Sequence, residues 1–116
     1  MRDLALQAAG ALSILVALGH GAIAELRVFA KVRIEPQRAR NLLRFVWQAS
    51  TVDWIGIGVL LIAAPGFGSE TARHWIIGVA VVVYLYAAIG NAVISRGPHF
   101  GWVVLSAAIA LVLLGF

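Results

Sequence analysis

Four long apolar runs, at residues 4–24, 42–64, 72–94 and 100–116, are separated by three polar breaks. A helix needs roughly 20 mostly apolar residues to cross a bilayer. Each run therefore predicts a spanning helix, the last being the shortest. Pro65-Gly66-Phe67-Gly68-Ser69 divides the second run from the third, and Ser95-Arg96-Gly97-Pro98 divides the third from the fourth. Proline and glycine punctuate helices in this way. The first connection, residues 25–41, is longer and carries most of the charge. Pro36 suits the first turn of a helix that continues into the second run. Gln37, Arg38, Arg40 and Asn41 would then form a polar collar at headgroup level. The expected fold is all-α: one domain over residues 1–116, an integral membrane four-helix bundle with no internal repeat.

Composition agrees with the pattern. The 116 residues are 62% hydrophobic and 12% charged, with a mean hydropathy of +0.96. A soluble domain is about half apolar and a quarter charged, and a chain this small has too little interior to hide the excess. No cysteine is present, which excludes disulfides, thiolate metal sites and cysteine nucleophiles. The net charge of +4 and pI near 10.8 fit basic loops held in the cytoplasm. Nucleic acid is not the expected partner, because the basic residues sit between two spans.

Orientation follows from where those residues lie. Arg27, Lys31, Arg33, Arg38, Arg40, Arg44 and Arg96 fall on one side, and Arg2 and Arg73 on the other. Seven against two places the first and third connections in the cytoplasm. Both termini then lie outside the cytoplasm, in the periplasm if the cell is Gram-negative. Ala22-Ile23-Ala24 has the small-residue spacing of a signal-peptide cleavage site. Arg2 and Asp3 cancel, however, and cleavage would leave a basic segment outside, so an uncleaved span is expected. The six basic residues of the first connection and the start of the next run (Arg27, Lys31, Arg33, Arg38, Arg40 and Arg44) are candidates for anionic lipid headgroups, at roughly 1 kcal/mol each near the surface.

Candidate chemistry begins with Asp53, which falls near the middle of the second span. An ionisable group at that depth costs about 2.5 kcal/mol or more. Asp53 is therefore expected to point into the bundle or across an oligomer contact, as the titrating group of a proton or cation site. Its surroundings, Trp47-Gln48-Ala49-Ser50-Thr51-Val52-Asp53-Trp54, are polar for a span. Ser50 and Asp53 are i,i+3 neighbours, as are Gln48 and Thr51, and such side chains bond neighbouring helices in membranes. Trp47 reads as an interfacial anchor and Trp54 as a deeper packing residue.

His20 lies about one turn inside the cytoplasmic end of the first span, and Glu25 lies at that end. Five residues are about 140° of helix, so the two share a face only if Gly19 and Gly21 bend the helix. Asn91, Arg96 and His99 map to the same side. Imidazole and carboxylate suit zinc, copper, iron or nickel, making His20, Glu25 and His99 the candidate divalent-metal ligands. Haem between two histidines is the weaker alternative, since His99 sits near the surface. His74, beside Glu70, Arg73 and Trp75, reads as a headgroup-level residue. Of Tyr84 and Tyr86, at least one hydroxyl needs a partner inside the bundle. Gly10, Ala17 with Gly21, Gly56 with Gly58, and Ala87 with Asn91 supply the small residues that let helices approach.

Three elements also resemble a family of small, uncharacterised four-span bacterial membrane proteins: His20 followed by Glu25 and Arg27, Trp47-Gln48-Ala49-Ser50, and Arg96-Gly97-Pro98-His99-Phe100-Gly101-Trp102. The last matches in full. The second has Gln48 where the family pattern has histidine, and glutamine is a poor metal ligand. The resemblance covers most of the chain and implies the four-span fold without an activity. In size and span number the chain is also similar to the small multidrug resistance transporters, dimers built around a membrane carboxylate. Their acid lies in the first span, whereas Asp53 lies in the second.

The leading functional expectation is a cytoplasm-facing polar site for a proton, metal ion or small polar ligand, in a transporter-like role. Asp53, Ser50, Gln48, Asn91 and Arg96 would form it, with His20, Glu25 and His99 as ion contacts. One alternative is a non-catalytic accessory or scaffold subunit, as a homo-oligomer or in a larger membrane complex. The other is an interfacial enzyme acting on a lipid or quinone, with His99 and Glu25 as acid and base.

Overall fold

Helix α1, Arg2–Ile23, runs without a break into a π-helical turn, Ala24–Phe29, in the computed structural model, which describes residues 1–97 and 99–116. Pro36, extended at φ −71° and ψ 166°, precedes α2, Gln37–Ala63. A 3₁₀ turn at Ala64–Phe67 ends α2, and Gly68 turns the chain with a left-handed φ of 62°. Ser69 then caps α3, Glu70–Ile94, accepting the Ala72 N–H at 3.2 Å. Such a cap satisfies one of the free N–H groups of a first turn. Arg96 (φ 55°) and Gly97 (φ 97°) reverse the chain toward α4, Gly101–Leu114. Pro98, the last residue of that expected break, lies outside the described residues.

Two expectations need adjusting. α1, α2 and α3 begin before their apolar runs, because apolarity reads hydrocarbon depth while backbone hydrogen bonding continues through polar flanks. α4 has only 14 residues, about 21 Å at 1.5 Å per residue. That falls short of the roughly 30 Å hydrocarbon core. Three helices are long and apolar enough to cross a membrane, and α4 is a shorter apolar helix.

α1 packs most extensively on α2, α3 on α4, and α1 also on α4, while α2 and α3 barely touch. The lateral order is therefore α2–α1–α4–α3, and no strand occurs among the described residues. The closest approach is at Gly10 and Gly58. A Cβ on Gly10 would fall against the Gly58 carbonyl oxygen, and one on Gly58 would lie 2.8 Å from the Gly10 carbonyl oxygen. Only glycine lets the two backbones meet there.

Small residues fill much of the interior: Ala9, Ala17, Ala80, Ala88 and Ala108 are buried, with Gly10, Ser13 and Gly21. Large apolar side chains face outward, among them Leu15, Phe45, Val82 and Leu114. Tyr84 is the largest fully buried side chain, and its hydroxyl makes no hydrogen bond. Ser13 approaches it but donates to the Ala9 carbonyl. Tyr86 is 83% exposed. The expectation that a tyrosine hydroxyl is satisfied inside the bundle is thus not met among the described residues.

Candidate ligand site

His20 is held between two tryptophans of α2. Trp47 and Trp54 are seven residues apart, nearly two full turns, and so lie on one face. The His20 ring stacks on Trp47 at 5.0 Å and lies 4.8 Å from Trp54. Phe29 meets the far side of Trp47 edge-on at 6.0 Å, and Trp54 meets Tyr84 edge-on at 6.4 Å. Ser50 Oγ donates to the Trp47 carbonyl at 2.6 Å and lies 3.1 Å from His20 Nε2. With its own proton committed, Ser50 is the acceptor, which assigns the imidazole hydrogen to Nε2. Nδ1 is left as an acceptor with no hydrogen-bond partner among the described residues.

His20 and Glu25 lie about 140° apart, at the two edges of the side of α1 that packs on α2, with Gly21 and the buried Ala24 between them. Trp47 Nε1 donates to the His20 carbonyl at 3.1 Å, and Gln48 Nε2 donates to the Gly21 carbonyl at 3.2 Å. Gln48 Nε2 also donates to Glu25 at 2.8 Å, and Arg44 pairs with the same carboxylate at 2.7 Å. Glu25 is therefore fully engaged. It lines a shallow hollow with Asn41, Arg44, Phe45 and Gln48, apart from the histidines.

This overturns the expected metal set. His20, Glu25 and His99 do not converge, and among the described residues no three His, Asp or Glu side chains are grouped to hold a metal ion. The pairing of Glu25 with His99 as acid and base fails for the same reason.

What His20 and His99 do share is a cavity of about 290 Å³ between α1 and α4. Asn91 and Trp54 line it with them, and Leu12, Leu15, Val16, Val104 and Leu105 supply apolar wall. His99 Nδ1 accepts the Gly101 N–H at 3.1 Å, and its ring stacks on Phe100 at 5.3 Å. In the neutral ring the remaining hydrogen is then on Nε2, a donor. Asn91 spends one N–H on the Ala87 carbonyl at 2.9 Å, leaving its other N–H and its oxygen. The cavity thus combines an acceptor at His20, a donor at His99 and both functions at Asn91, within a mostly apolar lining. Small-molecule sites have this makeup. Comparison with protein-family models, with curated proteins and with solved structures finds no match to the chain.

The other expected site residues are dispersed. Asp53 is exposed, does not line the cavity, and is not bonded to Ser50, which serves His20 instead. Gln48 belongs to the Glu25 network, and Thr51 donates to the Trp47 carbonyl at 3.3 Å. Arg96 is exposed on the α3–α4 turn, outside the cavity lining. In the basic connection Arg33 pairs with Glu35 at 2.6 Å, and Arg40 bonds the Phe29 carbonyl while lying 5.8 Å over the Phe29 ring. Arg44 is held by Glu25. Arg27, Lys31 and Arg38 remain exposed.

Sequence reasoning placed His74 beside Glu70 and Arg73 at headgroup level but missed the burial of Arg73 and the cluster it builds with both chain ends. At the end that holds both termini, Arg73 is 7% exposed, bonds Asp3, and donates to the Gly115 carbonyl at 3.1 Å. Arg2 pairs with Glu70 at 2.9 Å, and His74 stacks on Phe116 at 4.4 Å. The Trp47–Trp54 cage did have a signal, the seven-residue spacing. The Arg73 cluster had one only for Glu70, Arg73 and His74, which are neighbours in sequence; Arg2, Asp3, Gly115 and Phe116 come from the two ends of the chain.

Proposed function

We propose that this chain is an integral membrane protein that binds a small amphipathic ligand in the His20–Asn91–His99 cavity. The ligand's polar head would exchange hydrogen bonds with His20 Nδ1, Asn91 and His99 Nε2, and its apolar body would lie on Leu12, Val16 and Leu105. The observation that carries the site is the caged His20, oriented by Ser50 and left with a free acceptor at a largely apolar cavity. An imidazole held that firmly loses little freedom when it binds.

Membrane embedding is supported by the surface. Leu15, Phe45, Val82, Val93 and Leu114 are each more than half exposed, while much of the interior is alanine and glycine. Water-soluble monomers rarely expose contiguous apolar patches above a few hundred Å². The 49 Å long axis matches a bilayer with its headgroups, about 40–45 Å. The charge count supports a cytoplasmic basic connection, with both termini outside. Resemblance to bacterial four-span proteins supports a bacterial inner membrane. Arg27, Lys31 and Arg38, exposed on the first connection, would meet anionic headgroups.

Two measurements test this. With no native cysteine, Arg33→Cys and Gly66→Cys report topology directly. In intact cells a membrane-impermeant maleimide should label Gly66→Cys and spare Arg33→Cys; the reverse pattern inverts the orientation, and equal labelling refutes it. Native mass spectrometry of the gently released protein should show a bound small molecule whose occupancy falls in His20→Phe. A bare chain, or a ligand indifferent to His20→Phe, rejects the cavity reading.

A further inference from the structure

Two polar side chains face outward where their neighbours are apolar. Asp53 on α2 is exposed, beside Val52, Val59 and Leu60. Tyr86 on α3 is 83% exposed, beside Val82, Ile89 and Val93. A carboxyl facing hydrocarbon is among the costliest placements in a bilayer, and a phenol there lacks an acceptor. Neither has a hydrogen-bond partner among the described residues.

The two groups lie at one depth. The Trp54 and Tyr84 rings meet at 6.4 Å and set the register of antiparallel α2 and α3. Asp53 is one residue from Trp54, and Tyr86 two from Tyr84, both displaced toward the same end of the bundle. At 1.5 Å per residue, they match in level to within one helical turn. They flank the seam where α2 and α3 barely touch. A groove of about 160 Å³, lined by Ile57, Leu60, Trp75, Ile76 and Val79, runs in that seam. Gly56 beside Asp53 has open space where a Cβ would be, so a second helix can approach closely.

We infer that a second copy of this chain covers the α2/α3 face, in the same membrane orientation, with the Asp53 of each copy accepting a hydrogen bond from the partner's Tyr86. A two-fold interface pairs residue i with j and j with i. Two complementary groups at one depth on one face meet that requirement, whereas a lone acid on the axis would confront itself. Seven basic residues against two give every copy the same orientation, so equal depth in one chain becomes contact between two. The inference rests on the membrane reading and is independent of the ligand cavity.

Site-directed crosslinking in native membranes tests it. Two differently tagged copies are co-expressed, one carrying Asp53→Cys and the other Tyr86→Cys, and the membranes are oxidised. A mixed disulfide dimer is expected, and none when Leu15→Cys on α1 replaces Asp53→Cys. A mixed dimer no more abundant than that control overturns the inference, as does linking of Asp53→Cys chiefly to itself or to a foreign protein. In reconstituted bilayers, Tyr86→Phe and Asp53→Leu should each weaken dimerisation about five- to tenfold, since each removes two equivalent membrane hydrogen bonds. Both positions are on the surface, so folding is preserved. Unchanged dimerisation overturns the pairing. A membrane-bound monomer overturns this inference alone, while recovery of the chain as a soluble protein overturns it together with the membrane reading.

Discussion

At the end of the bundle that holds both termini, Arg73 is buried and its donors are committed to Asp3 and Gly115. At the other end His20 is equally well held, between Trp47 and Trp54, yet keeps Nδ1 free at a cavity. Both ends bring three or more chain segments together through polar groups. The first saturates them and ties the N-terminus, α3 and the C-terminus into one unit. The second leaves capacity over, and spare hydrogen-bonding capacity beside an apolar cavity is what a ligand can use. A polar residue inside an apolar bundle therefore signals function less by its presence than by what its partners leave unspent.

The sharpest way to break this contrast is Arg73→Ala. It should cost about 2–3 kcal/mol, as expected for losing hydrogen bonds made by a buried charged group, and leave ligand binding intact. Thermal unfolding in detergent, with and without the ligand identified by native mass spectrometry, reads both effects. Loss of the ligand here would mean the two ends are coupled and the contrast is wrong. His20→Phe tests the other arm. A flat aromatic ring able to stack is kept while Nδ1 and the Ser50 bond are removed, so affinity should fall about tenfold, roughly 1.4 kcal/mol, with a smaller change in melting temperature. A large stability loss with unchanged affinity would make His20 a packing residue.

Two smaller effects sharpen the picture. Arg44→Ala removes an ion pair half open to solvent, and such pairs contribute little. Its melting temperature should drop less than that of Arg73→Ala, and an equal drop would show that burial does not separate the ends. Tyr84→Phe removes a buried hydroxyl without a partner and should leave stability unchanged or raise it slightly. A loss above about 1 kcal/mol would reveal a bond from that hydroxyl to Ser13.

Much of the helical layout was legible in the chain because helix breaks are local. Pro36, Pro65 with Gly68, and Arg96-Gly97 mark the ends through their own backbone preferences, and the structure turns at each. The candidate site was half legible. His20, Asn91 and His99 were placed on one side by counting along the spans, and they do line one cavity. Glu25 was counted to that side as well, but Arg44 and Gln48 hold it elsewhere. Asp53 was expected in the bundle or at an oligomer contact. The bundle is excluded, because the small residues at Gly10, Gly21 and Gly58 turn the opposite side of α2 inward.

Composition and the spacing of apolar runs therefore suffice for the helical class and the helix count, since each depends on neighbours within a few turns. Depth along a helix is legible as well, because the rise per residue is constant. Azimuth is not: a glycine pair selects which face two helices share, and tertiary partners select where a long side chain at the edge of that face goes. Those long-range choices put Glu25 on Arg44, caged His20 between two tryptophans, buried Arg73 against both termini and left Asp53 facing outward.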